Sequence, residues 1–134
     1  MSARDVLEAY ADRINGQDFD LLTELIAPDA TFWFTTGSHR GIAAIRAAFE
    51  ATWQVMGPSE HYWLDQLEWI AEGDAAAACI YRFNWQTVAD GKPASGSGRG
   101  TTVLKRVGGR WWIAHEHLSG FPDQPPPAQA DPHP

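Results

Sequence analysis

Several residues in this chain have types and spacings suited to chemistry. His61 and Asp65 lie four apart at the start of an aromatic run, so regular alternation puts them on one strand face. A carboxylate can fix the tautomer of an imidazole, and the two then act as a general base; the same pair also suits a solvated rim. Arg82 stands in Tyr81-Arg82-Phe83-Asn84-Trp85. Its planar guanidinium would either hold a carboxylate-bearing ligand or satisfy a buried acid as a structural salt bridge. His115 and His117 share a strand face, but a zinc site needs a third ligand, and the body of the chain offers only His39 and His61. No carboxylate spacing completes such a site, so these histidines are read as structural or interface groups and no metal is expected. Cys79, the one cysteine, excludes an internal disulfide, and its apolar run Ala75 to Ile80 predicts a buried, inert thiol. There is no Gly-x-Ser-x-Gly elbow. Ser95-Gly96-Ser97-Gly98 looks like flexible linker chemistry, and Gly98-Arg99-Gly100 opens no helical pattern that could cradle a phosphate.

The elements that must position these groups follow from periodicity. Ser2 and Asp5 form a capping box for a first helix in which Leu7, Tyr10, Ala11 and Ile14 recur at helical spacing. Asn15-Gly16 should end it in a left-handed cap. Asp18 caps a second, shorter helix carrying Leu21, Leu22, Leu25 and Ile26, stopped by Pro28. Thr31 to Thr36 predicts a strand and Gly37 to Gly41 a loop. A third helix carries the stripe Ile42, Ile45, Phe49, Trp53 and Met56 and ends at Gly57-Pro58. Four long strands follow over 61–72, 75–88, 97–107 and 110–119, with breaks at Gly73-Asp74, Asp90-Gly91 and Gly108-Gly109. Helices followed by a meander make an α+β domain over 1–121, with three helices packed on a strongly curved, mainly antiparallel sheet.

Composition narrows the function classes. At 134 residues the chain has the size of one domain, and 44% hydrophobic with 20% charged is ordinary for a globular protein. The net charge of -7 argues against nucleic acid and anionic membrane surfaces. No apolar run reaches a membrane span and no leader pattern opens the chain, so the cytoplasm is the expected location. Seven tryptophans exceed what so small a core needs, and some should line a cavity or sit between subunits. Six of the nine prolines fall after Phe121, which predicts a proline-rich, disordered tail over 122–134.

Three stretches then resemble the SnoaL-like group of the nuclear transport factor 2-like superfamily. They are Tyr10 to Asp18 with Ala27-Pro28-Asp29-Ala30-Thr31, Arg40 to Arg46, and Thr101 to Arg106 running through Gly109 to Gly120. The first is similar to the opening of ketosteroid isomerases, the last to the association domain of calmodulin-dependent kinase II. The resemblance implies a cone with an internal pocket, and usually a homodimer packed through the sheets. It implies no single activity, since isomerases, dehydratases, epoxide hydrolases, cyclases and assembly domains share the fold. Tyr10 matches the tyrosine that donates to an oxyanion, although it also fits a core tyrosine on its helix. The isomerases' proton-shuttling aspartate is replaced at about Phe34, and their second acid falls near Thr101 or Thr102. By the kinase match, Arg82 points into the cavity, and Glu116 shares that face with Trp112, Ala114 and Leu118, so Arg82 and Glu116 would pair.

The reading is therefore a cofactor-independent enzyme performing isomerase, dehydratase or cyclase chemistry on a small carbonyl or ring compound. Tyr10, His61 and Asp65 are its candidate catalytic residues. Arg82, Asn84, Glu116, Trp63, Trp112, Phe34, Trp53 and Thr102 are its candidate pocket residues. The expected ligand is small and apolar or carboxylate-bearing, with a second copy of the chain as partner. The alternative is a non-catalytic ligand-binding or assembly module of the same fold.

Overall fold

The computed structural model describes residues 1–122, so the expected tail lies outside the described residues apart from Pro122. The chain order is α1 (Ala3–Ile14), a 3-10 turn (Phe19–Leu21), β1 (Ile26–Phe34), β2 (Gly37–Arg40), α2 (Ile42–Met56), β3 (His61–Glu72), β4 (Ala76–Ala89), β5 (Lys92–Val107) and β6 (Arg110–Ser119). The strands form one six-stranded sheet in the order β2-β1-β6-β5-β4-β3. Only the β1–β6 pairing is parallel, so the fold is α+β with a mainly antiparallel sheet. No helix among the described residues is long and apolar enough to cross a membrane.

The capping box forms as expected: the Asp5 amide donates to Ser2 Oγ at 3.1 Å and the Ser2 amide to Asp5 at 2.9 Å. Val6, Leu7, Tyr10 and Ile14 then turn inward at helical spacing. The helix does not end in a left-handed Asn15-Gly16 cap. Asn15 keeps helical angles, and the first positive φ belongs to Gln17. Asn15 instead clamps the helix to β3, donating to the Tyr62 carbonyl at 2.9 Å and accepting from the Tyr62 amide at 2.7 Å.

The expected second helix shrinks to one 3-10 turn. Sheet pairing outcompetes it: the Ile113 amide donates to the Leu25 carbonyl at 2.8 Å, and β1 starts at Ile26 beside Ile113. Pro28 does not stop an element but sits inside β1, in the register shift between Ile26 and Thr31 where no ladder bond is required of it. The expected loop over 37–41 is mostly strand β2, paired with β1 from Thr31↔Arg40 to Phe34↔Gly37.

The linker reading of Ser95 to Gly98 is also corrected, because these residues are the first half of β5. The β4–β5 hairpin runs without interruption from Ala76↔Lys105 to Ala89↔Lys92. Asp90 and Gly91, at φ 52° and 73°, make its two-residue turn. Gly96, Gly98 and Gly100 lie opposite Trp85, Phe83 and Tyr81, and each aromatic ring covers the space a side chain would have taken.

Both helices pack on one sheet face, enclosing a core that includes Phe19, Phe32, Phe49, Phe83, Leu104 and Ile113. Bulges decide which residues reach that core. In β3, register shifts follow Asp65, beside Gln66 at φ 53°, and Trp69. In β6, Ala114 is the extra residue, since Val103 pairs His115 while Leu104 pairs Ile113.

Candidate functional site

The β6 bulge carries the site. An unbroken strand would send Ile113 and Glu116 to opposite faces, but the extra residue at Ala114 lets both enter the core. Glu116 is therefore a carboxyl only 1% exposed, in the middle of the sheet, between Phe32 of β1 and Thr102 of β5.

Hydroxyls from two other elements meet it. The Tyr10 hydroxyl, on the inward stripe of α1, donates to one carboxyl oxygen at 2.8 Å. The Tyr81 hydroxyl, on β4, donates to the other at 3.0 Å. Tyr81 has a single proton, so the Thr102 hydroxyl, 2.7 Å away, is the donor in the contact between them. The chain of donors thus runs from Thr102 to Tyr81 to Glu116, with Tyr10 arriving from the opposite side.

Among the described residues no cation balances this acid. Burial drives its pKa from the ordinary 4.5 to about 7, and the two tyrosine hydroxyls, which favour the charged form, only partly oppose that rise. Tyr10, Tyr81 and Tyr62 are pushed well upward, first by burial and then by the Glu116 charge, so all three remain neutral.

A narrow cleft between the helices and the sheet leads to Glu116. Tyr10, Ile14, Phe49, Thr52, Trp53, Tyr62 and Leu118 line it, and its open volume is about 10 Å³, room for about one water-sized group. The interior is thus much fuller than the internal pocket expected from the sequence. Aromatic rings fill it: Phe49 meets Tyr10 edge-on at 6.4 Å and Trp53 at 5.5 Å. Thr52 and Trp53 retain the most solvent contact of the lining and mark the mouth.

Of the candidates from the sequence, the structure brings Tyr10, Glu116, Thr102 and Trp53 together here. Others lie elsewhere. Arg82 does not pair with Glu116. It alternates with Tyr81 along β4, so it faces away from the helices. There it makes a two-pronged, half-exposed ion pair with Asp65 at 2.7 and 2.5 Å. That guanidinium holds the Asp65 carboxyl below its usual value. His61 and Asp65 consequently form no dyad: His61 is exposed and stacks on Trp63 at 5.0 Å. Both rings lie in a separate open groove of about 500 Å³ between α1 and β3. Asn84 accepts from Ser97 at 2.8 Å in the β4–β5 ladder rather than lining the cleft. Trp112 falls on the face opposite Glu116 because of the bulge, and Arg110 stacks over it at 4.3 Å. Phe34 packs on Phe32 and Phe49 behind the cleft. Among the described residues no cluster of His, Cys, Asp or Glu could hold a metal ion.

Sequence reasoning missed Tyr81, Tyr62 and Phe49 as parts of the site. Alternation placed Tyr81 and Arg82 on opposite faces, and choosing the tyrosine face as the inner one would have found it. Tyr10→Phe removes a donor from a buried carboxylate. It is expected to raise the Glu116 pKa further and to destabilise the protein at pH 8 by about 1–3 kcal/mol, less at pH 5 where the acid is neutral. Carboxyl-carbon NMR titration and urea denaturation at the two pH values would measure both effects.

A model of the SnoaL-like domain family matches residues 7–114. Among solved structures, a nuclear transport factor 2-like superfamily protein from Salmonella enterica serovar Typhimurium superposes with a TM-score of 0.79 at 22% identity, over 95% of this chain and 93% of that one. An uncharacterized protein with a cystatin-like fold from Caulobacter vibrioides gives 0.76 at 20% identity, over 91% and 89%. The association domain of CaMKII from C. elegans gives 0.73 at 22% identity, over 87% and 91%. No curated protein matches the sequence. At these identities the structures bear on the fold alone.

Proposed function

We propose, since the chain belongs to the SnoaL-like domain family, that it is a pocket protein performing cofactor-independent acid–base chemistry on a small carbonyl or ring compound. The fold serves isomerases as well as non-catalytic association domains, so the reaction must be argued from the site. The observation that carries the proposal is Glu116: a carboxyl buried without a cation and titrating at about 7 is half ionised near neutrality. Such a group can take a proton and return it with little driving force lost in either direction.

Tyr10 and Tyr81 hold the two carboxyl oxygens in place, and Thr102 fixes the Tyr81 proton toward Glu116. Tyr10 thus acts as a donor to the acid. Phe49, Trp53 and Leu118 exclude water, which strengthens each of these contacts. Substrate entry requires Trp53 and Thr52 to swing from the mouth. Arg82, on the far face, takes no part. A homodimer packed through the uncovered sheet face agrees with Trp33, which is 46% exposed there against the edges of His115 and His117.

The test is turnover across conjugated ketones, epoxides and aromatic acids as a function of pH. Conversion should show an inflection near pH 7 that Glu116→Gln abolishes and Arg82→Ala leaves intact. The small closed cavity favours one rival, a ligand-binding or assembly module. Saturable binding with no conversion at any pH would establish that rival and end the enzyme reading.

A further inference from the structure

We infer that the cleft beneath Trp53 receives a small organic cation, an ammonium head group seated against Glu116, and rejects carboxylates. The inference rests on the reading of this cleft as the ligand pocket and names the chemical class it selects.

The geometry leaves a place for such a head group. A carboxylate offers about four acceptor positions, and the structure uses one on each oxygen, for Tyr10 and for Tyr81. The remaining lone pairs can accept ammonium protons. The walls suit a cation equally well. Tyr10, Phe49, Trp53 and Tyr62 all line the cleft, and aromatic faces attract ammonium groups, most strongly when both are desolvated.

The groups that face Glu116 from each packed element carry no positive charge. Tyr10 comes from α1, Tyr81 from β4, Tyr62 from β3, Thr102 from β5 and Phe32 from β1. Helix α2 adds Phe49, Thr52 and Trp53. The next acid is Glu60, itself buried and close enough to raise Tyr62. An anion entering this cleft would meet the Glu116 carboxyl and uncharged hydroxyls, with Arg82 bound to Asp65 on the other side of the sheet. A cation would instead supply the charge the site lacks. The small free volume holds the ammonium head group at Glu116, and the apolar remainder takes the mouth once Thr52 and Trp53 swing aside.

Binding a cation must ionise Glu116, and its proton leaves to the buffer. Calorimetry with benzylammonium, benzyl alcohol and benzoate tests this on the unmodified protein. At pH 8, benzylammonium should bind at least about tenfold more tightly than benzyl alcohol, with benzoate weakest. At pH 6, titrations in two buffers of different ionisation enthalpy should show about one proton released per benzylammonium bound and none for the alcohol. Glu116→Gln should erase the preference for benzylammonium over benzyl alcohol. Equal or tighter binding of the alcohol or of benzoate, or binding of benzylammonium without proton release, overturns the cation assignment and leaves the pocket reading standing. Failure of all three probes to bind overturns it too. The acid–base proposal is judged separately, by the effect of Glu116→Gln on turnover.

Discussion

Glu116→Gln is expected to stabilise the protein at pH 8 by about 3 kcal/mol and to change it little below pH 4.5. The folded-state pKa of Glu116 stands at about 7 against an ordinary 4.5. The folded protein therefore holds a proton that the unfolded chain has released. Below 4.5 both states are protonated and the group is neutral to stability. Between 4.5 and about 7 the unfolded state gains on the folded one, and above 7 the full penalty applies. A shift of about 2.5 units (7 minus 4.5) at about 1.4 kcal/mol per unit gives about 3 kcal/mol. Glutamine keeps the shape, cannot ionise, and still offers an oxygen to Tyr10 or Tyr81. Urea denaturation of both proteins from pH 4 to 8 measures the difference. Parallel curves across that range would mean that Glu116 titrates normally, and the acid–base proposal would fall with it. The direction also matters for function: an ionisable group that costs stability at neutral pH is a candidate for a functional role.

The second large effect is Gly98→Ala, expected to destabilise the protein by about 3 kcal/mol, at the upper end of overpacking costs in a core. A methyl group at Gly98 would lie 2.3 Å from the Phe83 ring and 2.5 Å from the Ser119 carbonyl oxygen. Phe83 is only 1% exposed and cannot swing aside, and the carbonyl belongs to the neighbouring strand. Gly96→Ala makes the informative comparison. The three atoms nearest its methyl would all belong to the Trp85 ring, at 2.7 Å, whereas a backbone oxygen is among the three at Gly98. Trp85 sits nearer the turn of the hairpin and is 7% exposed against 1% for Phe83, so the cost there should be smaller. Equal losses at the two positions in thermal or urea unfolding would show that the glycine-to-aromatic fit is not what limits this hairpin.

These two positions also show what was legible in the sequence. The α+β class, the capped first helix, the Ile42–Met56 helix and the four long strands were readable, because strong periodicity and glycine punctuation act locally. The second helix was not, since Leu22 to Ile26 is decided by pairing with Ile113, nearly ninety residues away along the chain. Ser95 to Gly98 was misread for a related reason. Glycine and serine weaken a strand taken alone, and only the rings of Trp85 and Phe83 across the ladder make these residues fit. Tyr10 and Glu116 were singled out, but Glu116 was paired with Arg82 because alternation tells which residues share a face without telling which face is inside. Trp112 was assigned to the wrong side because a bulge leaves no mark in a single sequence.

The extra residue at Ala114 acts as a selector for the interior chemistry. Deleting it would straighten β6 yet leave Glu116 where it is, since Ile113, His115 and Glu116 would then alternate in, out and in. Drawing Ala114 into the ladder instead, with Ile113 kept in place, would set His115 opposite Thr102 beneath Tyr10 and turn Glu116 out. An acid would then be exchanged for an imidazole with no substitution anywhere. On this scaffold the pairing of one small residue settles which reactive group faces the interior.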